Sequence, residues 1–490
     1  MLLALLGTAF IGVSAAEVEY VELDLADGNI SIKSYGFDIG DDSYDYTGGK
    51  YLIKYTGGGV NRIDVQEATC TIILDNVDMS ANQQMITIGK ASDVTLVLRG
   101  TNKVKFSDTA KTGSAIGVAG DAKLTIEAES ATDSLEVVGG AYGAGIGSTQ
   151  DSYATTAQII INSGKITATC GNTSASESAA IGGARNSGAQ VTINGGDITA
   201  TGLRNGPGIG AGREAPEGTT VTINGGLVKA VGGVNSAGIG GGYKSAADIY
   251  VNGGVVTATS GHASKVMGVQ VGGVDFENVT SYTKTPRVYV TGGSILSYYK
   301  GDTAAPNALT VYKNAESTEN ALVQTAVALP SATDYIYVGS TPYLLAGTHI
   351  EFTNLYYFFF EAGSTPKLAY GDKEVTVTPG TAVTASDWTT AQTPVSKPAV
   401  NTPAPDTIVT IKPSEITTVG TTSGTTASFT APTTSATTTA APAAEETTTA
   451  ATTTAAEEEG GCGSAIGVSG IALVASAAAL GAIVKKRKED

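Results

Sequence analysis

The sequence predicts an all-β fold, a right-handed parallel β-helix (a solenoid) with about 30 residues per coil. Three observations support this prediction: a repeat of near-constant length, apolar residues that alternate with polar ones inside each copy, and Asn-Gly-Gly turns at a fixed place in the copy. Composition agrees, because the chain of 490 residues has 63 glycines, one tryptophan and only 15% charged residues. Such a chain must fill its core with β-branched residues and turn at glycines.

The repeat is marked first by a Gly-Ile-Gly tripeptide or a remnant of it. Its centres are Ile88, Ile116, Ile146, Ile181, Ile209, Ile239 and Val269. The successive gaps are 28, 30, 35, 28, 30 and 30 residues. A period this regular indicates a solenoid, in which each copy of the repeat forms one coil.

The second mark is a block that reads VTINGGDITA at residues 191–200 and recurs before and after that copy. Val191 and Ile193 alternate with Thr192, and this period of two predicts a strand on each side of the glycine pair. An Asn-Gly turn also fits an array of β-hairpins. The Gly-Ile-Gly landmark adds a third strand at a fixed offset, which favours three strands per coil and therefore a parallel β-helix.

Asparagine occupies one turn position in four successive copies, as Asn162, Asn194, Asn224 and Asn252. Asparagine tolerates the left-handed backbone conformation, and stacked amides can hydrogen-bond along the axis of the helix. We therefore predict a structural ladder of asparagine side chains. Thr291 replaces asparagine in the last copy, which predicts that the ladder ends there.

Composition divides the chain into five segments. Residues 1–16 are the first of them, and residues 17–330 form the β-helix. Residues 331–390 are rich in aromatics, lack the repeat and are predicted to form a small β module or cap. Residues 391–459 consist largely of threonine, alanine and proline, cannot bury a core and are predicted to be a disordered stalk. Residues 460–490 are the last segment.

The two ends of the chain predict export and anchoring at the cell surface. Residues 1–16 are a short apolar run that ends in small residues, which is typical of a secretory signal peptide. Residues 465–484 are apolar and long enough to span a bilayer, and a basic cluster that begins at Lys485 stays in the cytoplasm. We expect the body outside the cell, held by this C-terminal transmembrane segment or by its processed form.

Several motifs carry a resemblance to a known family. TIILDNVDMS is followed by SDVTLVLRGTNKV and then by repeated GAGIG and VTINGG blocks. In this order they resemble bacterial surface β-helix proteins that are described as carbohydrate-binding domain proteins. The resemblance covers roughly residues 45–300, and it implies a cellulose-like or pectin-like polysaccharide as the ligand.

Charge and residue inventory narrow the classes of function. The net charge of −17 disfavours nucleic acid, because binding a polyanion needs clustered Lys and Arg. A polysaccharide lyase or hydrolase needs carboxylates that converge on one face. The loop carboxylates show no common column: Asp121, Asp151, Glu177 and Glu214. The two histidines, His262 and His349, are isolated, so we predict a protein without catalytic activity.

The three cysteines do not form a disulfide framework. Their number is odd and they are far apart in the sequence, at Cys70, Cys170 and Cys462. Cys70 and Cys170 lie in strand-like runs and are predicted to be small buried apolar residues.

The candidate ligand-binding residues form a column on one outer face. By the Asn-Gly-Gly count, Tyr250 and Tyr289 occupy the outward position that Thr192 and Thr222 hold in earlier copies, and Tyr243 is close in sequence. Tyrosine rings stack on the apolar side of sugar rings, so these residues predict a glycan-binding platform. The alternative is that the tyrosines pack under a loop or against the cap.

A short acidic loop is the candidate metal site. It contains Asp38, Asp41, Asp42 and Asp45 in the string FDIGDDSYDY. Calcium takes six to eight oxygen ligands from loops of this kind, although the spacing is not that of an EF-hand. The alternative is a solvated acidic loop, and no cofactor is required by the rest of the sequence.

The sequence therefore predicts a non-catalytic cell-surface protein that binds extracellular polysaccharide. A structural or adhesive surface protein with a protein partner is the alternative, and a polysaccharide lyase or hydrolase of the pectin-lyase-like class is the third interpretation. We expect a monomer that contacts the membrane through its C-terminal span and does not bind nucleic acid.

Overall fold

The structure is a computed structural model. It describes residues 17–57, 60–109, 112–171, 176–260, 288–299, 311–314, 321–345, 354–398 and 407–416. The predicted signal peptide, the predicted anchor, Val269, both histidines and Cys462 lie outside these residues. Among the residues that the structure describes, no helix is long and apolar enough to cross a bilayer.

Eight strands precede the regular repeats. They are β1 (Glu17–Asp24), β2 (Ile30–Lys33), β3 (Gly36–Ile39), β4 (Asp42–Asp45), β5 (Lys50–Lys54), β6 (Ile63–Gln66), β7 (Thr69–Asp75) and β8 (Asp78–Ala81). A short 3-10 helix at Leu25–Asp27 connects the first two strands.

Twenty strands of the repeats lie within the described residues. They are β9 (Ile86–Ile88), β10 (Asp93–Arg99), β11 (Thr101–Phe106), β12 (Ile116–Val118), β13 (Lys123–Ala128), β14 (Ser134–Val138), β15 (Ile146–Ser148), β16 (Gln158–Ile161), β17 (Lys165–Thr169), β18 (Ile181–Gly182), β19 (Gln190–Ile193), β20 (Asp197–Thr201), β21 (Ile209–Ala211), β22 (Thr220–Ile223), β23 (Leu227–Val231), β24 (Ile239–Gly241), β25 (Asp248–Val251), β26 (Val255–Ser260), β27 (Val288–Val290) and β28 (Ser294–Tyr299).

Seven further strands follow, together with 3-10 helices at Ala385–Asp387 and Pro413–Glu415. The strands are β29 (Val323–Ala328), β30 (Tyr335–Val338), β31 (Thr341–Leu344), β32 (Leu355–Phe360), β33 (Lys367–Thr376), β34 (Thr389–Val395) and β35 (Thr407–Ile411).

Three long sheets wrap around one core, and together they confirm the parallel β-helix. Sheet A has the order β27-β25-β22-β19-β16-β13-β10-β7-β5-β1-β35, sheet B the order β24-β21-β18-β15-β12-β9-β6-β2-β3-β4, and sheet C the order β28-β26-β23-β20-β17-β14-β11-β8. In the repeats each strand pairs in parallel with its equivalent one coil away, as β19 does with β16 and β22. The hairpin alternative is therefore wrong for the repeats.

The register places the Gly-Ile-Gly strands in sheet B and corrects the first of the predicted centres. Ile116 pairs with Ile86, whereas Ile88 pairs with Val118. The first centre is therefore Ile86, two residues before the predicted Ile88, and the first gap is 30 residues. The isoleucines of this column, such as Ile181, are fully buried.

The glycines of sheet B are required because neighbouring coils approach closely there. Gly182, Gly210 and Gly240 have φ values of 130°, 132° and 137°, which L side chains rarely adopt. A Cβ atom on Gly210 would also overlap the carbonyl oxygen of Gly240. At these glycines the neighbouring coils are therefore in direct backbone contact. The isoleucine beside each glycine points into the core.

Strands β29 to β34 form a second body of structure, which we call the antiparallel region (residues 321–345 and 354–398). Its sheets have the orders β29-β32 and β31-β30-β33-β34, both antiparallel. It packs on the outer face of sheet C, where Val255 shares an apolar cluster with Ile336 and Trp388. The backbone N–H of Tyr357 donates to Ser294 Oγ at 2.7 Å across this joint.

The ordered chain continues beyond the point where the stalk is predicted to begin. Strand β34 extends to Val395, and β35 pairs in parallel with β1 at the opposite end of sheet A. The predicted boundary at residue 391 is therefore too early. Residues 407–411 of the predicted stalk read TIVTI and are β-branched throughout, which suits a strand. Residues 417–459 of the predicted stalk lie outside the described residues.

Candidate functional site

The predicted asparagine ladder is present. Each amide donates to the carbonyl oxygen of the preceding one along the axis. The bonds are Asn194 Nδ2 to Asn162 Oδ1 (2.8 Å), Asn224 Nδ2 to Asn194 Oδ1 (2.8 Å) and Asn252 Nδ2 to Asn224 Oδ1 (2.9 Å). Thr291 Oγ1 donates to Asn252 Oδ1 at 2.7 Å and extends the row by one coil, while Asn162 Nδ2 donates to Glu127 Oε1 at 2.7 Å at the other end.

A cleft of about 800 Å³ lies between this ladder and the antiparallel region; we call it the ladder cleft. One wall is formed by the amides and the glycine pairs that follow them in three coils. The other wall is formed by β31 and its neighbours. The lining side chains that carry the argument are Asn194, Asn224, Asn252, Tyr343, Leu344 and the Asp334–Lys397 pair. A volume of this size is in the range of small-molecule sites, which are about 300–1,000 Å³.

The walls of the ladder cleft differ in chemistry. The three amides are exposed, and the ladder uses only one of the two N–H groups of each. Opposite them Leu344 is 43% exposed and lines the cleft. Tyr343 donates its hydroxyl to the carbonyl of Thr291 at 3.2 Å, and burial raises the pKa of this phenol. The cleft therefore offers hydrogen bonds on one side and apolar contact on the other.

The predicted tyrosine column exists, but it is not a flat platform. Thr192, Thr222, Tyr250 and Tyr289 are neighbours in successive strands of sheet A. The two tyrosine rings stack on each other with centroids 5.0 Å apart and planes 20° apart. Stacked rings cover one face of each other, and Tyr289 is only 8% exposed. Side-by-side rings would be needed for a sugar chain to lie across both, so the predicted geometry is wrong.

Tyr243 lies apart from that column, in the turn that follows β24. The guanidinium of Arg213 lies 5.3 Å from the centre of its ring, and the ammonium of Lys244 lies at the same distance. In an equivalent contact the guanidinium of Arg185 lies 4.4 Å from the ring centre of Tyr142. These pairs belong to a charged cluster along sheet B.

The charged cluster collects three carboxylates that the sequence left unmatched. Arg185 Nη2 binds Asp151 at 2.8 Å, and its Nη1 lies 3.9 Å from Glu177. Arg213 binds Glu177 directly and lies 3.3 Å from Glu214. The interpretation that these carboxylates are scattered is therefore wrong for Asp151, Glu177 and Glu214.

The cluster forms because the turns on either side of sheet B are joined across coils. The backbone N–H of Arg213 donates to the carbonyl of Glu177 at 2.7 Å. One coil further on, the backbone N–H of Tyr243 donates to the carbonyl of Asn205 at 2.9 Å. Arg185, Arg213 and Tyr243 each follow the isoleucine of their Gly-Ile-Gly by four residues. Aligning the turns on that isoleucine would have revealed the column.

The ion pair of Asp151 with Arg185 is expected to stabilise the β-helix in a pH-dependent way. Arg185 holds the pKa of Asp151 below its usual value by a hydrogen bond, and the side chains of Gln150 and Asn186 add to the effect. A lowered pKa in the folded state contributes stability that is present above the ordinary pKa of about 4 and is lost as the pH falls through the folded value.

We therefore expect Asp151→Asn to lower the melting temperature at pH 7 and to have little effect at pH 2.5. The carboxylate of Asp151 is partly exposed, so the shift should be a few degrees at most. Thermal unfolding followed by circular dichroism at both pH values measures it. Asp372→Asn, at an exposed ion pair of the antiparallel region, is the control. An equal loss at both pH values would mean that the amide disturbs packing and that charge is not the cause.

The predicted calcium loop is a hairpin. Asp38 lies on β3, Asp42 and Asp45 lie on β4, and Asp41 lies in the turn between the strands. Lys33 Nζ and Ser43 Oγ both donate to Asp38, at 2.5 and 2.8 Å. Within the described ranges no three acidic, histidine or cysteine side chains group closely enough to hold a metal ion. Binding of calcium by these four aspartates would require the hairpin to rearrange.

The two described cysteines are buried and unbridged, as predicted. Burial raises the pKa of the Cys70 thiol to about 12 and that of the Cys170 thiol to about 11. Cys170 Sγ accepts hydrogen bonds from Ser176 Oγ at 2.9 Å and from the backbone N–H of Leu203 at 3.1 Å. Neither thiol is suited to nucleophilic chemistry, because the thiolate is the reactive form.

These features define the class of protein as a parallel β-helix protein. A family model described as a beta helix repeat matches residues 159–185, 191–213 and 221–243. The matched residues cover the central coils and include Asn162, Asn194 and Asn224 of the ladder. They also include Glu177, Arg185 and Arg213 of the charged cluster. No curated protein and no solved structure matches the chain.

Proposed function

We propose that the protein is a non-catalytic surface protein that binds an extended polysaccharide in the ladder cleft. The observation that carries this proposal is the row of exposed amides at Asn194, Asn224 and Asn252, which shares one cleft with Leu344 and Tyr343.

The spacing suits a linear polymer of sugars. Equivalent residues of successive coils are about 4.8 Å apart, which is about the length of a sugar ring. One amide per coil can therefore meet one hydroxyl group per sugar unit. The glycine pairs after each asparagine carry no side chains that would block the approach.

The chemistry suits a ligand with one polar edge and one apolar face. A pyranose ring presents hydroxyl groups at its edge and C–H groups on its faces. The amides provide donors and acceptors for the edge, and Leu344 with Tyr343 provides apolar contact for a face. Hydrogen bonds from groups that the ladder already holds in place cost little side-chain entropy on binding.

The charged cluster is the place where catalysis would be sought, and its chemistry disfavours a general acid. A general acid at neutral pH needs a raised pKa, whereas Arg185 lowers the pKa of Asp151. Glu177 is 9% exposed and is bonded by Arg213. We therefore keep the lyase or hydrolase interpretation third, after a protein partner that would occupy the same cleft.

The experiment is a glycan array with the full chain, followed by titration of the strongest polysaccharide with variants. We expect Leu344→Lys to weaken binding about tenfold or more, because a charge and a longer side chain would then occupy the apolar wall. Val234→Lys is the matched control, since Val234 is 62% exposed and lies outside the cleft. The affinity of the Tyr250→Ala variant for the same polysaccharide tests whether the tyrosine column on sheet A takes part in binding.

Equal affinities of the Leu344→Lys and Val234→Lys variants would place the site elsewhere, and a selective loss in Tyr250→Ala would place it on sheet A. Binding of no glycan would overturn the proposal in favour of a protein partner.

The location of the protein is the other half of the proposal, with residues 460–490 as the anchor. Removing them should release the protein into the medium without changing its affinity for the polysaccharide.

A further inference from the structure

Strand β35 occupies a position that its place in the sequence does not suggest. It pairs in parallel with β1 over five residue pairs, from Glu17 with Thr407 to Val21 with Ile411. The antiparallel region that precedes it in the chain packs on the last coils, at the other end of the β-helix. The first and last described strands are therefore neighbours in space.

Strand β35 is held to the body on one side only. Among the described strands it is the outermost member of sheet A, with β1 as its sole partner. Ile408 packs against the cluster of Tyr20, Leu52 and Ile73 on the outer face, and Ile411 packs against the main core. The strand reads TIVTI, with no charge and with β-branched residues throughout. Such a segment pairs readily with any open strand edge.

The number of residues between the antiparallel region and β35 is small for the distance between them. Lys397 lines the ladder cleft, which reaches down to Asn194 at the end of β19. Seven strand spacings separate β19 from β35 in sheet A, a distance of about 34 Å. The ten residues from Lys397 to Thr407 can span at most about 33–36 Å. A linker this short for the distance it must cover favours exchange of the strand between copies.

We propose that the β1 edge is an acceptor site for residues 407–416 and that two copies of this chain exchange the strand. The occupant is the same strand in the same parallel register, taken from a neighbouring copy in place of the copy's own. The contacts of Ile408 and Ile411 with the body are then unchanged. The exchange links molecules through residues that each copy already carries.

Disulfide trapping tests the exchange in the full chain. Glu19 and Val409 are register partners, both are exposed, and paired Cα atoms about 4.8 Å apart fall within the range for a disulfide. Cys462 is replaced by serine in every variant. The double variant Glu19→Cys/Val409→Cys should bridge within one chain at low concentration. A mixture of the two single variants can form a heterodimer only if β35 of one copy lies on β1 of the other.

We expect oxidation of the mixture to give this heterodimer, with a fraction that rises with protein concentration and with the time of incubation before oxidation. Glu19→Cys mixed with Val234→Cys is the control, because Val234 is exposed but lies away from the edge. A bridge in the double variant without a heterodimer above the control at any concentration would overturn the exchange. Failure of the double variant to bridge would overturn the pairing of the strands itself.

Discussion

Replacing Gly210 by alanine is expected to destabilise the β-helix by roughly 2–6 kcal/mol, since backbone strain and overpacking each cost about 1–3 kcal/mol. The φ of 132° at this position is closed to L side chains, and the new Cβ would overlap the carbonyl oxygen of Gly240. Both obstacles are backbone, so no side chain can move aside to relieve them. Urea unfolding followed by circular dichroism measures the loss.

Gly339→Ala is the matched control for that experiment. Gly339 also has a positive φ, of 62°, but a Cβ there would meet nothing within 4 Å. It should cost only the strain of the left-handed conformation, about 1–2 kcal/mol. If Gly210→Ala were no worse than this control, close packing of the coils in sheet B would not be what selects glycine there.

Replacing Val255 by aspartate is expected to detach the antiparallel region from sheet C and to abolish binding in the ladder cleft. Val255 is fully buried in the cluster that also contains Ile336 and Trp388. A carboxylate placed there has no cationic partner in that apolar cluster, and the expected cost is roughly 3 kcal/mol or more. Limited proteolysis should cut first within residues 321–398, while the far-ultraviolet spectrum of the β-helix persists.

The chain supplies a natural comparison for this substitution. Val255 pairs through Leu227 with Asp197, two coils earlier in the same column of sheet C. Asp197 is exposed and tolerated because the antiparallel region does not cover it. The variant Asp197→Asn should therefore leave protease resistance unchanged. If the Val255→Asp protein resisted the protease as well as the wild type does, apolar packing would not be what holds the antiparallel region on sheet C.

The fold could be predicted because every coil repeats the same packing problem. Ile193 pairs with its equivalents Ile161 and Ile223 in the two neighbouring coils, so the period of the sequence gives the strand register of a whole sheet. The ladder follows by the same logic, since Asn194 and Asn224 differ by one coil. The acidic hairpin at Asp38 could not be predicted in this way, because its composition fits both a loop and a tight pair of strands.

The candidate site was beyond reach of the sequence because it joins residues that no period relates. Tyr343 and Leu344 meet Asn224 only through the docking of the antiparallel region on sheet C. One signal was present in the column that follows the glycine pairs. It changes from charged to apolar between Asp197 and Val255. This change indicates that another part of the protein covers the later coils, but it does not identify that part.

The pairing of β35 with β1 has a mechanical consequence if residues 460–490 anchor the chain. Tension from residues further along the chain reaches the body at Ile416, which packs against the main core. This contact and the five residue pairs of β35 with β1 therefore bear the load before any coil does. Rupture would transfer the load to Lys397 and the antiparallel region, about 34 Å along the rod by seven strand spacings. The β-helix would then lie further from its anchor under load, while its coils and the ladder cleft stayed folded.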